Sequence, residues 1–382
     1  MKKAALFVAV AALVATALLA GRISSSASAA PNAANKAIAC EGIPVGYMGP
    51  ITGPVAFLGA EQLHWAQFAL DNFNKLNKTS FSLQQVDTQL NPALAQTGAT
   101  KLSADSSVLG VLGPAGSQEV QAVGPLFKKA GLAFVSMSAT NASLTTGKYP
   151  TFFRVVGSDK SQARTDALFM VNKLHAKKVF LVDDQESYST GIAAVATAVL
   201  KAHGVKVDRE SVNQKVTDFS SLVSKIANDT TVVFLPWQVA AQAQLFYEQM
   251  REQGKKAKIF GSDGLDSGDF KADGRYISSF ARDIRGTAGT AALIKSYESR
   301  YGSNWGTFGP PAYVAMQGML SAYKAACKDG KASRAEVLAK MHRVKLGRTI
   351  LGQPLSFDAH GDNPSAKFYV YQITGSKRTL VG

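Results

Sequence analysis

VLGPAGSQEVQAVGPLFKKAGLAFVSMSATNASLT, Val111 to Thr145, carries an apolar strand end, a helix and a second apolar strand in one short unit. The pattern predicts strands over Val108–Leu112 and Ala133–Ser136 with a helix over Gln118–Ala130 between them. Each strand runs into a loop of small neutral residues, GPAGS after the first and SMSATN after the second. The second loop holds Ser136, Ser138, Thr140, Asn141, Ser143 and Thr145 and no charge. A β–α–β unit of this kind belongs to a parallel sheet covered by helices.

The same alternation extends outward in both directions. Further strands are expected at Ile43–Met48, Phe81–Val86, Val179–Asp183, Thr231–Leu235 and Lys258–Gly261. Helical stretches near Glu61–Leu76, Pro92–Ala104, Gln162–Leu174, Thr190–His203, Phe219–Ala227 and Ala240–Gln253 separate them. One block of strands ends near Tyr149-Pro150, and a fresh one opens at Lys177 with KKVFLVDD, which implies two α/β lobes. Roughly 350 residues after a leader also exceed one ordinary core.

At the amino terminus, Lys2 and Lys3 precede an apolar run from Ala4 to Ala20 and then the small-residue segment SSSASAA. That is the layout of a secretory signal peptide over residues 1–30, with cleavage near Ala29 or Ala30; a retained anchor is the alternative. Losing Lys2, Lys3 and Arg22 lowers the formal charge of +15 by three. The remaining basic residues are scattered in pairs such as Lys128-Lys129 and Lys177-Lys178, without the aromatic-laced stripe of a nucleic-acid binder. Cys40 and Cys327 leave either one disulfide, natural for an exported chain, or two buried thiols.

In open parallel sheets ligands collect beyond the carboxyl ends of the strands, so the informative residues follow the strands. Ser117 precedes a helix and could cap it, face an anion with the free N–H groups there, or do both. Thr140 and Asn141 follow a strand, where they either cap a turn or face a ligand. Tyr188 in DDQESYSTG and Trp237 in FLPWQ stand at cleft height, as packing or as pocket walls with a polar tip. Asp263 in FGSDGL comes directly after a strand and is the carboxylate best placed to meet a cation, a turn role being the alternative.

Enzymatic readings find little support. The five histidines lie in or beside expected helices, or in the turn DAHGDN, without a partner in a cleft loop. No nucleophile elbow, phosphate loop or zinc-binding helix motif is present. Asp263, Asp266, Asp269 and Asp273 lack the ligand spacing and closing glutamate of a calcium loop.

Four motifs in order resemble a known family. GYMGPITGPVAFLGAE, the Val111–Thr145 stretch, VFLVDDQESYSTG and IFGSDGL are similar to type 1 periplasmic binding proteins of the leucine/isoleucine/valine-binding kind, over about Gly42 to Gly382. The resemblance implies two doubly wound parallel-sheet lobes joined by a three-segment hinge. Lobe I would comprise 41–156 plus 284–345 and lobe II 157–283 plus 346–382, with crossings near Val156–Asp159, Ile277–Asp283 and Val344–Gln353. It implies that Ser117 and Thr140 hold a ligand carboxylate, that the Ser138 carbonyl accepts from an α-ammonium, that Asp263 is its counter-ion and that Tyr188 closes the pocket. Phe57-Leu58 and LPWQVAAQ, with Trp237, stand where the family has tyrosine-bearing loops at the side-chain end, which leaves the ligand's side chain open. A Cys40–Cys327 disulfide would lie within lobe I and pin the amino terminus.

The expectation is an exported substrate-binding protein of an ABC transporter, in the periplasm or on the outer face of the cytoplasmic membrane. It would be a monomer that captures a small amino acid, branched-chain or related, and hands it to a membrane permease. No cofactor, metal, nucleic acid or catalysis is expected. The alternatives are a receptor of the same fold for an aromatic or other small carboxylate, an amide or urea, a ligand sensor for a signalling partner, and a secreted hydrolase.

Overall fold

The computed structural model describes residues Ala33–Gly382; the expected export segment, 1–30, lies outside the described residues. Among those described, no helix is long and apolar enough to cross a membrane.

Two main sheets carry the fold. The first has five parallel strands in the order Ser82–Asp87, Pro44–Gly49, Gly110–Leu112, Ala133–Ser136, Phe152–Arg154. The second has seven, in the order Lys377–Leu380, Tyr369–Thr374, Arg275–Ser279, Lys258–Gly261, Val232–Leu235, Lys178–Asp183, Lys206–Ser211. Its five inner and far strands are parallel, and the terminal hairpin is added antiparallel along Arg275–Ser279. The chain leaves the first sheet after Arg154, enters the second at Lys178, leaves it after Ser279 and returns to it at Tyr369.

The unbroken apolar strands make sense only with both faces covered. Phe180 and Val182 pack into one cluster with Trp237 and Phe246, whereas their neighbours Val179 and Leu181 pack into another with Ile192 and Phe260. In the first sheet Tyr47, Leu112 and Val135 face one cluster, and Met48, Val111 and Phe134 face the other. This two-residue alternation, with apolar groups on both sides, is what a doubly covered sheet requires.

Helices Ala56–Asn77 and Gly309–Ala326 cover one face of the first sheet. The Trp65 indole stacks on Tyr297 at 3.9 Å between ring centroids. A Cβ at Gly309 would come within 1.8 Å of that indole, so only glycine lets the second helix approach so closely. Cys40 and Cys327 form a disulfide, beside an antiparallel pairing of Ile38–Ala39 with Lys331–Ala332.

Expectation and structure differ chiefly at strands that are short, polar or late in the chain. Phe152–Arg154, Lys206–Ser211, Arg275–Ser279 and the terminal hairpin are strands that the apolar pattern did not announce. Lys206–Ser211, KVDRES, is an exposed edge strand with few apolar residues. The helix expected over Phe219–Ala227 is only Ser220–Ser224.

Candidate ligand-binding site

The loops beyond the carboxyl ends of both sheets meet across a cleft. Among the described residues three side-chain hydrogen bonds cross it: Gln118 Nε2 to Gln238 Oε1 at 2.9 Å, Asn141 Nδ2 to the Ser187 carbonyl at 2.5 Å, and Thr307 Oγ1 to Asp266 Oδ2 at 2.7 Å. Between them lies a narrow pocket, partly continuous with solvent. Val55, Leu58, Leu90 and Phe308 give it an apolar wall, and Ser138, Tyr188, Gln238 and Asp263 contribute its polar groups.

From the first sheet come the two small-residue loops. Gly113 turns the chain at φ +103, where a Cβ would strike the Met48 carbonyl at 2.0 Å. The helix that follows, Ser117–Ala130, starts with a buried Ser117 whose Oγ accepts from Asn141 N at 3.1 Å, tying the two loops together. Ser138 Oγ donates to the Ala115 carbonyl and accepts from Gln62 Nε2, each at 2.9 Å. Behind the second loop stands Arg154, fully buried. Its Nη1 donates to the Asn141 carbonyl at 2.8 Å and more weakly to Ala139 at 3.5 Å, its Nη2 donates to Thr145 Oγ1 at 2.8 Å, and its Nε pairs with Asp362 Oδ1 at 2.5 Å. Five-donor planar geometry makes arginine the side chain suited to holding several acceptors at once.

The second sheet contributes an acidic end. Tyr188 OH donates to Asp263 Oδ1 at 2.7 Å, lies 2.7 Å from Ser262 Oγ and accepts from Gly264 N at 3.1 Å. Gln162 Nε2 donates to Asp263 Oδ1 at 2.5 Å and to Ser278 Oγ, which in turn donates to Asp166 Oδ2 at 3.1 Å. Burial pushes the Asp263 carboxyl up to about 7, against the pull of the Tyr188 and Gln162 hydrogen bonds and with a push from Asp266. Asp159 rises to about 8 and Asp166 well above the usual range, both from burial first, and Asp263 adds repulsion to each. The Thr140 hydroxyl lies close enough to Asp159 to offset part of its rise. Neither Thr140 Oγ1 nor either Asp159 oxygen, however, completes a hydrogen bond within the described residues. Asp266 behaves oppositely: burial pushes it up, but the Arg378 guanidinium beside it prevails and holds it below the ordinary range.

Of the residues singled out from sequence, Ser138, Tyr188 and Asp263 line the cavity together. Ser117 and Thr140 are buried in the loops behind that lining, and Phe57 reaches it only through its edge contact with Phe308, 6.0 Å between centroids. Trp237 needs correction as a wall. Its indole is 1% exposed, packs on Phe219 and Phe246 in the core and donates to the Val182 carbonyl at 2.7 Å. A buried indole N–H must find an acceptor, and here that acceptor lies in the sheet. Its neighbour Gln238 takes the place on the cavity.

Sequence reasoning missed Gln62, Leu90, Gln118, Arg154, Gln162 and Gln238. Gln118 and Gln238 adjoin residues already singled out, and Leu90 lies in the loop that follows the strand Ser82–Asp87. Leu90 and Gln89 both hold positive φ, +58 and +50, an uncommon backbone for such residues and one that recurs at ligand sites.

Comparison with known proteins bears on this arrangement. A family model described as periplasmic binding protein matches residues 42–378. The leucine-, isoleucine-, valine-, threonine-, and alanine-binding protein of Pseudomonas aeruginosa is 26% identical over 348 residues, covering 89% of this chain and 92% of that one. The branched-chain amino acid transporter substrate binding protein LivJ of Streptococcus pneumoniae, solved with isoleucine, superposes with a TM-score of 0.79 at 26% identity, over 89% of this chain and 99% of that one. A solute binding protein of R. palustris in complex with benzoate shares the fold at a TM-score of 0.79 and 21% identity, over 89% of this chain and 95% of that one. The chain belongs to the periplasmic binding protein family, in its type 1, leucine/isoleucine/valine-binding branch, whose members are substrate-binding proteins and not enzymes.

Proposed function

We propose that this chain is the exported receptor of an ABC importer, a monomer that traps a small α-amino acid between two lobes and presents it to a membrane permease. The lobes are taken as 41–156 with 284–345, and 157–283 with 346–382. One observation carries the reading: a cavity whose apolar wall, Val55, Leu58, Leu90 and Phe308, faces a buried carboxylate, Asp263, held by Tyr188 and Gln162 and paired with no base among the described residues. An ammonium would supply the missing counter-charge, and a small side chain would cover the apolar wall. Ser117, Thr140 and the N–H groups opening the Ser117 helix are assigned to the carboxylate, with the Ser138 carbonyl accepting from the ammonium. The isoleucine- and leucine-binding relatives support the same class.

Closure around the ligand is a population shift driven by contacts that only the closed cleft completes. Calorimetry of the chain with amino acids, small carboxylates and amides tests the assignment. Binding of an amino acid that Asp263→Ala abolishes supports it. Unchanged affinity in that variant, or binding of a carboxylate without an amine, would favour the benzoate-like class instead.

A further inference from the structure

The cleft holds an amide pair that the amino-acid reading does not use. Gln118, second residue of the Ser117 helix, is 7% exposed, and Gln238, in the loop after Val232–Leu235, is 8% exposed. They come from opposite sheets and meet in one hydrogen bond, Gln118 Nε2 to Gln238 Oε1 at 2.9 Å. An amide has two donors and a two-lone-pair acceptor, so one such bond leaves most of the pair's capacity unspent. In particular, Gln118 Oε1 is buried and accepts from no group among the described residues.

That carbonyl lies just behind the cavity's lining. A Cβ at Gly116 would stand 3.2 Å from Gln118 Oε1, 2.9 Å from Glu119 Oε2 and 2.6 Å from Cδ1 of the lining residue Leu90. Gln238 itself lines the same cavity as Asp263 and Ser138. Of the other lining residues, Val55, Leu58, Leu90, Ala115 and Phe308 carry no side-chain donor, while Ser138 and Tyr188 spend their hydroxyl protons on the Ala115 carbonyl and Asp263. A wholly aliphatic ligand would leave the carbonyl without a donor, and a buried acceptor left unpaired costs more than an ordinary hydrogen bond contributes. A ligand bearing an N–H or O–H at that point would satisfy it.

We propose that the Gln118–Gln238 pair selects the ligand's side chain, favouring α-amino acids that end in a hydroxyl or primary amide over aliphatic ones of the same shape. This rests on the pocket being an amino-acid site. Because the pair spans the cleft, it also joins side-chain recognition to closure. A side chain ending in a carboxylate, which only accepts, gains nothing from that carbonyl and would have to turn to the pair's spare N–H groups instead.

Isosteric comparisons test this by calorimetry on the chain without its first 30 residues: threonine against valine, and asparagine against leucine. The donor-bearing member of at least one pair should bind about tenfold to a hundredfold more tightly. Gln118→Met, which keeps length and removes the amide, should collapse that ratio while retaining amino-acid binding, and Gln238→Met should weaken it. The wild-type ratios alone decide the matter if either variant fails to fold. Valine and leucine binding as tightly as their partners overturns the proposal, and so does a ratio that survives Gln118→Met. Preference for aspartate over leucine overturns it too, because the pair would then be facing the ligand with an amide nitrogen. If no α-amino acid binds at all, the proposal falls together with the amino-acid reading, a result distinct from binding without discrimination.

Discussion

Acidification should loosen the ligand through Asp263, and the size of the effect follows from its surroundings. An ordinary aspartate ionises near 3.8; this one is pushed up to about 7 by burial, against the pull of the Tyr188 and Gln162 hydrogen bonds. In the ligand-free chain at about pH 6 roughly nine-tenths of the Asp263 carboxyls are therefore protonated, while an ammonium ligand requires the ionised form. Each pH unit below 7 should weaken the apparent affinity about tenfold, about 1.4 kcal/mol, with a plateau above about pH 8. Glu119 works in the opposite sense. It sits in the first turn of the Ser117 helix, its Oε2 accepting from Gly116 N at 2.8 Å, and burial raises it to about 7 as well. Its ionisation puts a negative charge near the helix end assigned to the ligand carboxylate, so it should weaken binding as pH rises. Titration calorimetry from about pH 5.5 to about pH 8.5, in buffers of different ionisation enthalpy, reads both effects. Wild type should release close to one proton on binding at about pH 6; Asp263→Asn should bind weakly and lose the acid-side slope, and Glu119→Gln should flatten the alkaline side. A wild-type affinity independent of pH over this range, or net proton uptake at pH 6, would refute the reasoning.

Two further outcomes are expected. Arg154→Met strips the donors from the Ala139 and Asn141 carbonyls and from Thr145 and leaves Asp362 unpaired; it should cost about 3–5 kcal/mol in urea unfolding and weaken ligand binding in whatever fraction stays folded. Replacing Cys40 and Cys327 by serine should cost about 2–4 kcal/mol by the same measurement. Ligand affinity should not change in that variant, since Cys40 precedes the strand Pro44–Gly49 and the cleft lies beyond its other end.

Legibility followed the apolar pattern and not burial alone, since Arg275–Ser279, RYISS, is a buried inner strand with few apolar residues. Strands such as Lys178–Asp183 announce themselves because both faces are covered and nearly every residue must be apolar. Lys206–Ser211 and the terminal hairpin lie at sheet edges, where polar residues suffice and the pattern fades into that of a loop. In the site, loops directly following strands could be read, and Ser138, Tyr188 and Asp263 came from them. Gln62 could not be: it sits within the helix Ala56–Asn77, and only tertiary packing brings its amide to Ser138. Trp237 misled because cleft height along the chain does not fix the direction of a side chain, and its N–H finds its acceptor in the core.

The reach of Arg154 has a mechanical consequence. Its guanidinium grips the back of the Ser138–Asn141 loop and, through Asp362, the returning segment near Asn363, whose Nδ2 donates to the Val155 carbonyl at 2.9 Å. Asp159 N adds a bond to the Thr140 carbonyl at 2.7 Å. The loop is therefore not free to yield on its own, because it is fastened to two of the three segments of chain that pass between the sheets. Under the proposed assignment, force applied at Thr140 would be borne by those passing segments, so a molecule small enough to touch a few atoms would act with the leverage of everything they carry.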